Sequence, residues 1–424
     1  MNRADLVRAA AIYLPLTAAV IARLLVGRHP RQFVACLLSI LWTIPSLLLL
    51  QICNQHAHWW SFAPGYAAEF RGMPLELFLG WIILWGLLPQ LAFPRLGIIA
   101  SAALLAALDC VLMPISTSIV ILKSNWLMGE ALGVTIVLFP SLCLGHWTSQ
   151  NTNLRARGAL QIATAGLLFL FLIPEIIFAT RDGNGWTPML GLPSWLLQTS
   201  LQLIFLLALP GNSAVFEFVD RGRGTPIPYD PPQRLVTTGI YRYSANPMQL
   251  SAMLVMLAWA ALLRNGWMVA AASTAFLYST GIAQWDEKQD LADRFGQPWH
   301  DYRASVGNWL PHWIPYHAGP SSIIYVSRTC GPCSEVREWL ERRRLTGLQI
   351  VDAETLPANS ISRVRYEPAD GTPAVEGVLA IGRALEHINL GWALCGMFLR
   401  LPILWRIIQL LIDASGLGPR QLPA

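Results

Sequence analysis

The chain has 424 residues, of which 54% are hydrophobic and only 13% charged; 30 basic residues against 25 acidic ones give a net charge of +5. A soluble domain carries about 25% charged residues, so the chain is not a water-soluble globule throughout, and its apolar fraction excludes a disordered one. The mild basic excess does not argue for nucleic acid and is that of a membrane protein with arginines in its cytoplasmic loops.

The charge is uneven: residues 1–218 hold 19 Asp, Glu, Lys and Arg, and residues 219–424 hold 36. The first region, 1–218, reads as multi-span membrane. A helical span needs about 20 apolar residues. Nine spans are predicted, near 8–26, 33–52, 75–93, 96–114, 130–147, 159–179, 194–216, 246–263 and 267–284. The segment 115–129 carries Lys123 and Asn125 and reads as re-entrant or interfacial. The loops with Arg28 and Arg31, with Arg155 and Arg157, and with Arg221, Arg223, Arg234 and Arg242 then share one face, the cytoplasmic one. His56 and His58 read as incidental residues of an external aromatic belt rather than as metal ligands. Asp109 and Glu175 lie in spans, where ionisable groups are costly: they are either on a substrate path or buried polar contacts. Glu76 and Glu130, at span ends, are read as snorkelling.

Residues 219–315 form the most informative region. A Gly- and Pro-rich loop, Arg221 to Pro232, leads to Gly239-Ile240-Tyr241-Arg242-Tyr243-Ser244-Ala245-Asn246-Pro247. An apolar hairpin follows, broken at Arg264-Asn265-Gly266. The chain returns at Trp285-Asp286-Glu287-Lys288 and continues through Phe295-Gly296, Trp299, Tyr302 and Trp309-Leu310-Pro311. A chain that leaves at Asn246 and returns at Trp285 brings both polar clusters to one membrane face. Tyr241, Arg242, Asn246, Glu287 and Tyr302 are thus expected around one cytosolic pocket, open to a zwitterionic cofactor and, laterally, to a lipid tail.

From about Arg221 to Pro311 the sequence resembles the isoprenylcysteine carboxyl methyltransferase and phospholipid methyltransferase family of membrane enzymes. The family's Gly-x-Tyr-Arg-Tyr motif is met by Gly239, Tyr241, Arg242 and Tyr243, its (His or Asn)-Pro by Asn246 and Pro247, and its later Glu, Phe-Gly and Tyr positions by Glu287, Phe295, Gly296 and Tyr302. Ala245, Gln249 and Lys288 stand where the family usually has Arg, Tyr and Glu. The resemblance implies that S-adenosyl-L-methionine is bound by Tyr241, Arg242, Asn246, Pro247, Glu287 and Tyr302. It makes Arg242 and Glu287 the catalytic candidates and a lipid-like or prenylated molecule the acceptor. With the spans and the resemblance to bacterial members, a multi-pass protein of the bacterial inner membrane is expected, and the arginine loops put its C-terminal domain in the cytoplasm.

Residues 321–424 read as a small α/β domain. Ser322–Val326 is a predicted strand, followed by Cys330-Gly331-Pro332-Cys333 and a helix from Glu335 to Arg344. A helix N-terminus favours the thiolate of Cys330, with Cys333 as the resolving partner. A zinc site would need further ligands, for which only His312, His317, His387 and Cys395 are near in sequence; no metal is expected. A second strand, Leu348–Asp352, and a hairpin of Val364–Tyr366 with Val375–Leu379 complete a thioredoxin-like order. The segment resembles bacterial thiol–disulfide oxidoreductases with an Asp-x-x-Cys-x-x-Cys motif, Ser327 replacing the Asp. That resemblance implies redox-active cysteines and a thiol protein as partner. The whole is expected to be mostly α: a polytopic helical membrane domain followed by the thioredoxin-like one.

Overall fold

The computed structural model describes residues 3–26, 30–65, 68–181, 183–227, 230–357 and 361–418, without the side chains of 282–288 and 417. Arg28 and the side chains of Asp286, Glu287 and Lys288 therefore lie outside the described residues. The chain is mostly helical, and it divides into two units.

Among its described residues, the first unit, residues 1–187 with 225–230, contains six helices long and apolar enough to cross a membrane. They are α1 (Arg3–Leu25), α2 (Gln32–Ala57), α3 (Leu75–Ala92), α4 (Ile98–Ile115), α5 (Trp126–Gln150) and α6 (Leu154–Thr180). The helix α2 supplies much of the core, where Leu47 and Leu48 meet Trp85, Leu105 and Leu138. Three helices carry a wide π-helical turn immediately ahead of a proline: Ile82–Leu87 before Pro89, Val134–Leu138 before Pro140, and Leu168–Leu172 before Pro174. Proline has no N–H to give and its ring crowds the preceding turn, so the helix widens locally rather than breaking.

Two short two-stranded sheets close one end of this unit. β1 (Trp60–Phe62) is antiparallel to β4 (Val120–Leu122), so the polar interruption at Lys123 ends a strand rather than a membrane-dipping helix. β2 (Glu69–Phe70) pairs with β3 (Met73–Pro74). At the other end, the carboxylate of Asp230 accepts from Arg31 at 3.0 Å, from Thr225 at 3.1 Å and from buried Arg157. Glu175 is a buried polar contact, accepting from Arg71 at 2.5 Å and from Trp186 at 2.7 Å. Glu130 does not snorkel: it is 6% exposed.

The second unit, residues 188–224 with 231–424, begins with α7 (Ser194–Gly222), the seventh helix long enough to span. The last two predicted spans are shorter helices, α8 (Pro247–Leu262) and α9 (Gly266–Tyr278), which pack on each other as a hairpin, with α8 against α7. The side chain of Asn265 caps α9 by accepting from the Met268 N–H at 3.1 Å. From α9 the chain runs through another π turn into α10 (Gln284–Phe295) and then α11 (Gln297–Ser305).

The C-terminal part of this unit holds a four-stranded sheet of order β6-β5-β7-β8. β5 (Ser322–Val326) is parallel to β6 (Leu348–Asp352), with α12 (Gly331–Glu341) as the crossover. β7 (Arg365–Glu367) is antiparallel to β5 and to β8 (Val375–Glu376). α13 (Val378–Leu385), α14 (Leu390–Leu399) and α15 (Leu404–Ile412) follow. α14 and the helix after it are bent by 84° and together are apolar enough for one further span, making seven or eight candidates among the described residues.

The sheet part is not a loosely tethered appendage. Leu209 and Ala214 of α7 share a buried cluster with Ala393 and Met397 of α14, together with Ile240, Tyr241 and Tyr243. Beside it, buried Glu217 of α7 accepts from Arg221 at 2.7 Å and from Arg383, and lies 3.6 Å from Arg400. Glu386 accepts from both Arg383 and Arg400. Burial would discharge Arg383, but Glu217 and Glu386 push its ionisation above the ordinary range and keep it cationic.

Candidate functional site

The junction of two polar stretches forms the candidate site. Gly239–Arg242 makes a single 3₁₀ turn. It needs glycine at its head: Gly239 has φ +60, and a Cβ there would lie 2.7 Å from Cγ of Glu217. The returning stretch clasps this turn. The Tyr302 hydroxyl donates to the Tyr241 carbonyl at 2.8 Å, the Ala245 N–H to the Gly307 carbonyl at 2.9 Å, and the Ser244 hydroxyl to the Asn308 carbonyl at 3.0 Å. Burial pushes the Tyr302 phenol up, so at neutral pH it is a donor that positions backbone rather than a base.

Asn246 is half-buried at the N-cap of α8, and its side chain makes no capping bond. Pro247, at the first helical position, is buried. Proline there removes an N–H that would be unpaired in any case. An uncapped helix start with an uncommitted amide suits an anionic group such as a ligand carboxylate. Tyr241 is buried and tilts against Phe218, with ring centroids 6.4 Å apart.

Arg242 takes a different direction from Asn246. Its Nη1 donates to the Tyr316 carbonyl at 3.3 Å, its Nε is buried without a partner, and the Tyr316 N–H returns to the Arg242 carbonyl at 2.8 Å. Its charge is one cause, after burial, of the lowered ionisation of His317 and His387. The structure thus brings together Tyr241, Asn246, Pro247 and Tyr302, and turns Arg242 toward the sheet part.

Three buried polar atoms near the clasp have no partner: Arg242 Nε, Gln249 Oε1 and the Trp309 indole N–H. Since Arg242 faces the sheet part, Gln249 Oε1 and the Trp309 N–H remain, one acceptor and one donor, which suit a polar, base-bearing cofactor such as S-adenosyl-L-methionine in kind. Gln249 and Trp309 were not singled out as site residues from sequence; Gln249 stands one turn into α8, where the family pattern departs.

The cysteines are at the second candidate site. Cys330 stands at the N-cap of α12 and Cys333 packs on the sheet core; both are half-buried. The loop before them is held by a carboxylate that sequence reasoning missed. Glu354 Oε1 accepts from the Ser327 hydroxyl at 2.7 Å, the Arg328 N–H at 2.9 Å, the Thr329 N–H at 3.2 Å and the Thr329 hydroxyl at 3.1 Å. The Cys330 N–H in turn donates to Ser327 Oγ at 3.2 Å. Burial works to raise the Glu354 carboxyl, but the Ser327 hydroxyl, its own backbone and Thr329 bring it down to about 2. The signal was there: in register, Val326 of β5 pairs with Asp352 of parallel β6, so residues just beyond both emerge at one sheet edge. His387 is committed elsewhere, to the Tyr366 hydroxyl at 3.0 Å and the Thr346 carbonyl at 2.8 Å.

No curated protein and no solved structure matches the chain. Residues 222–297, which contain Gly239 to Pro247 and the whole hairpin after them, match the model of the phospholipid methyltransferase family.

Proposed function

We propose that the chain is an integral-membrane methyltransferase that uses S-adenosyl-L-methionine and acts on a lipid or prenylated acceptor at the cytoplasmic face of a bacterial inner membrane. The observation that carries this reading is the clasp from Tyr302 to Tyr241, which closes the hairpin and sets Asn246 beside the returning chain. The family match over residues 222–297 and the membrane helices support it.

Bound S-adenosyl-L-methionine would supply an electrophilic methyl on a sulfonium: the acceptor atom would bond to that methyl as its bond to sulfur breaks, and the neutral thioether would leave. The protein's part is alignment and exclusion of water, which supply most of the rate in such a transfer. Asn246 and the start of α8 would orient the cofactor's charged end, and Tyr302 would hold the turn that carries Tyr241. Glu287, whose side chain lies outside the described residues, is the carboxylate the sequence motif offers for the cationic end. In the test, tritiated methyl is followed from the cofactor into a total lipid extract by the full-length protein in detergent micelles. Label in the organic phase, lost in Asn246→Ala, is expected; equal label with both proteins would overturn the assignment.

A second reading is favoured by the Glu354–Ser327–Cys330 chain of bonds: residues 321–424 form a cytosolic thioredoxin-like thiol–disulfide module. The sheet order and the Cys-x-x-Cys at the start of α12 support it. Cys333→Ser should trap a thiol partner on Cys330, and Cys330→Ser should not. Equal or absent trapping would contradict it.

A further inference from the structure

Inside the first unit, between α2, α3, α4 and α5, lies a small cavity lined by Gln51, Trp81, Trp85, Asp109, Met113 and Glu130 among others, none of them basic. Asp109 is 2% exposed and Glu130 6%, and both line this one cavity. The Trp81 indole donates to Asp109 Oδ1 at 3.1 Å. That leaves Asp109 Oδ2 and Glu130 Oε1 without partners, and the Trp85 N–H, on a side chain 1% exposed, without an acceptor. The Gln51 amide already donates to the Arg71 carbonyl at 3.2 Å, and its oxygen accepts from Asn54 at 3.3 Å.

Two buried carboxyls lining one small cavity inside a membrane bundle, with no basic residue in the lining, are costly unless a proton or a cation joins them. Protons alone would leave the Trp85 donor unsatisfied. A bound cation with one water satisfies all three atoms: the ion takes the two free carboxyl oxygens, and its water accepts from Trp85. All the ligands are oxygens, which select a hard ion. The cavity, about 20 Å³, exceeds the space one water needs and has room for a small ion beside a single water, not for a hydrated ion. Magnesium dehydrates reluctantly and calcium wants six to eight oxygens, so neither suits so few ligands. We propose that the Asp109–Glu130 pair, with Trp85, is a binding site for a small monovalent metal cation of sodium size. It is independent of the methyl-transfer reading, since every group belongs to the first unit.

The test uses the full-length protein in phosphatidylcholine nanodiscs and two readouts. Radiolabelled sodium should bind saturably and one-to-one in equilibrium dialysis, and Glu130→Gln or Asp109→Asn should bind about tenfold or more weakly. In wild type alone, replacing choline chloride by sodium chloride at constant ionic strength should raise the thermal unfolding midpoint to a plateau. This second readout decides even if the variants do not fold. No saturable binding, or a midpoint indifferent to the exchange, would mean that protons and water alone occupy the cavity and would overturn the proposal.

Discussion

The Tyr243 hydroxyl donates to the Glu386 carbonyl at 2.9 Å, joining the family-like turn to the end of α13 across 143 residues of sequence. Tyr243 is fully buried, and burial raises its phenol, so the donor stays protonated. Tyr243→Phe removes the donor and strands a buried carbonyl, which costs about 1–3 kcal/mol. Hydrogen exchange over Val378–Leu399 should speed up accordingly, while exchange in the first unit should not change.

A larger loss is expected at Glu217. Its carboxylate, 2% exposed, faces Arg221, Arg383 and Arg400. Glu217→Gln removes the carboxylate that three arginines share and leaves Glu386 alone to face Arg383 and Arg400; removing one partner of a buried pair typically costs about 3–5 kcal/mol. Limited proteolysis should then release a fragment containing the sheet. Adding Arg383→Met should recover part of the loss, because the two residues are coupled.

Stability of the second unit should depend on pH through His387. Burial, then the nearby Arg242 charge, hold its imidazole well below the ordinary value, against the pull of the Thr346 carbonyl. His317 and Arg383 add to the lowering. The unfolded chain therefore takes up the proton first, near pH 6.5. Stability is full above that value and falls below it by about 1.4 kcal/mol per pH unit until the folded imidazole also titrates. Chemical unfolding followed from neutral pH down to about pH 5.5 should show this slope, and His387→Gln should flatten it.

Glu354 has the opposite character. Its folded carboxyl lies near 2, below the ordinary value of 4.5, so its bonds to the cysteine loop hold above about 4.5 and loosen as pH falls toward 2. At neutral pH, Glu354→Ala should free Ser327, Arg328 and Thr329 and speed alkylation of Cys330 by iodoacetamide. An unchanged alkylation rate would show that the loop is held by other contacts.

The meeting of Tyr241–Asn246 with Tyr302–Pro311 was legible because an apolar hairpin between two polar stretches has one simple arrangement. The strands and helix around Cys330 were legible from short apolar runs and a helical face. What sequence concealed were partners chosen by tertiary packing. Arg242 stands in a cofactor motif, yet its direction is set by the Tyr316 carbonyl, 74 residues away. Glu130 sits near the start of its helix, where snorkelling is the default; only the placement of α4 beside it shows that it faces Asp109. The hairpin helices are shorter than their apolar runs suggested, since the second passes into a π turn at Ser279–Ala283 and a polar helix.

The most direct measurement of the central claim is calorimetric titration of S-adenosyl-L-methionine into the full-length protein in nanodiscs, beside Asn246→Ala. Saturable binding that weakens about tenfold or more in the variant is the predicted result. No heat of binding to the wild type, or the same affinity in both proteins, would contradict it.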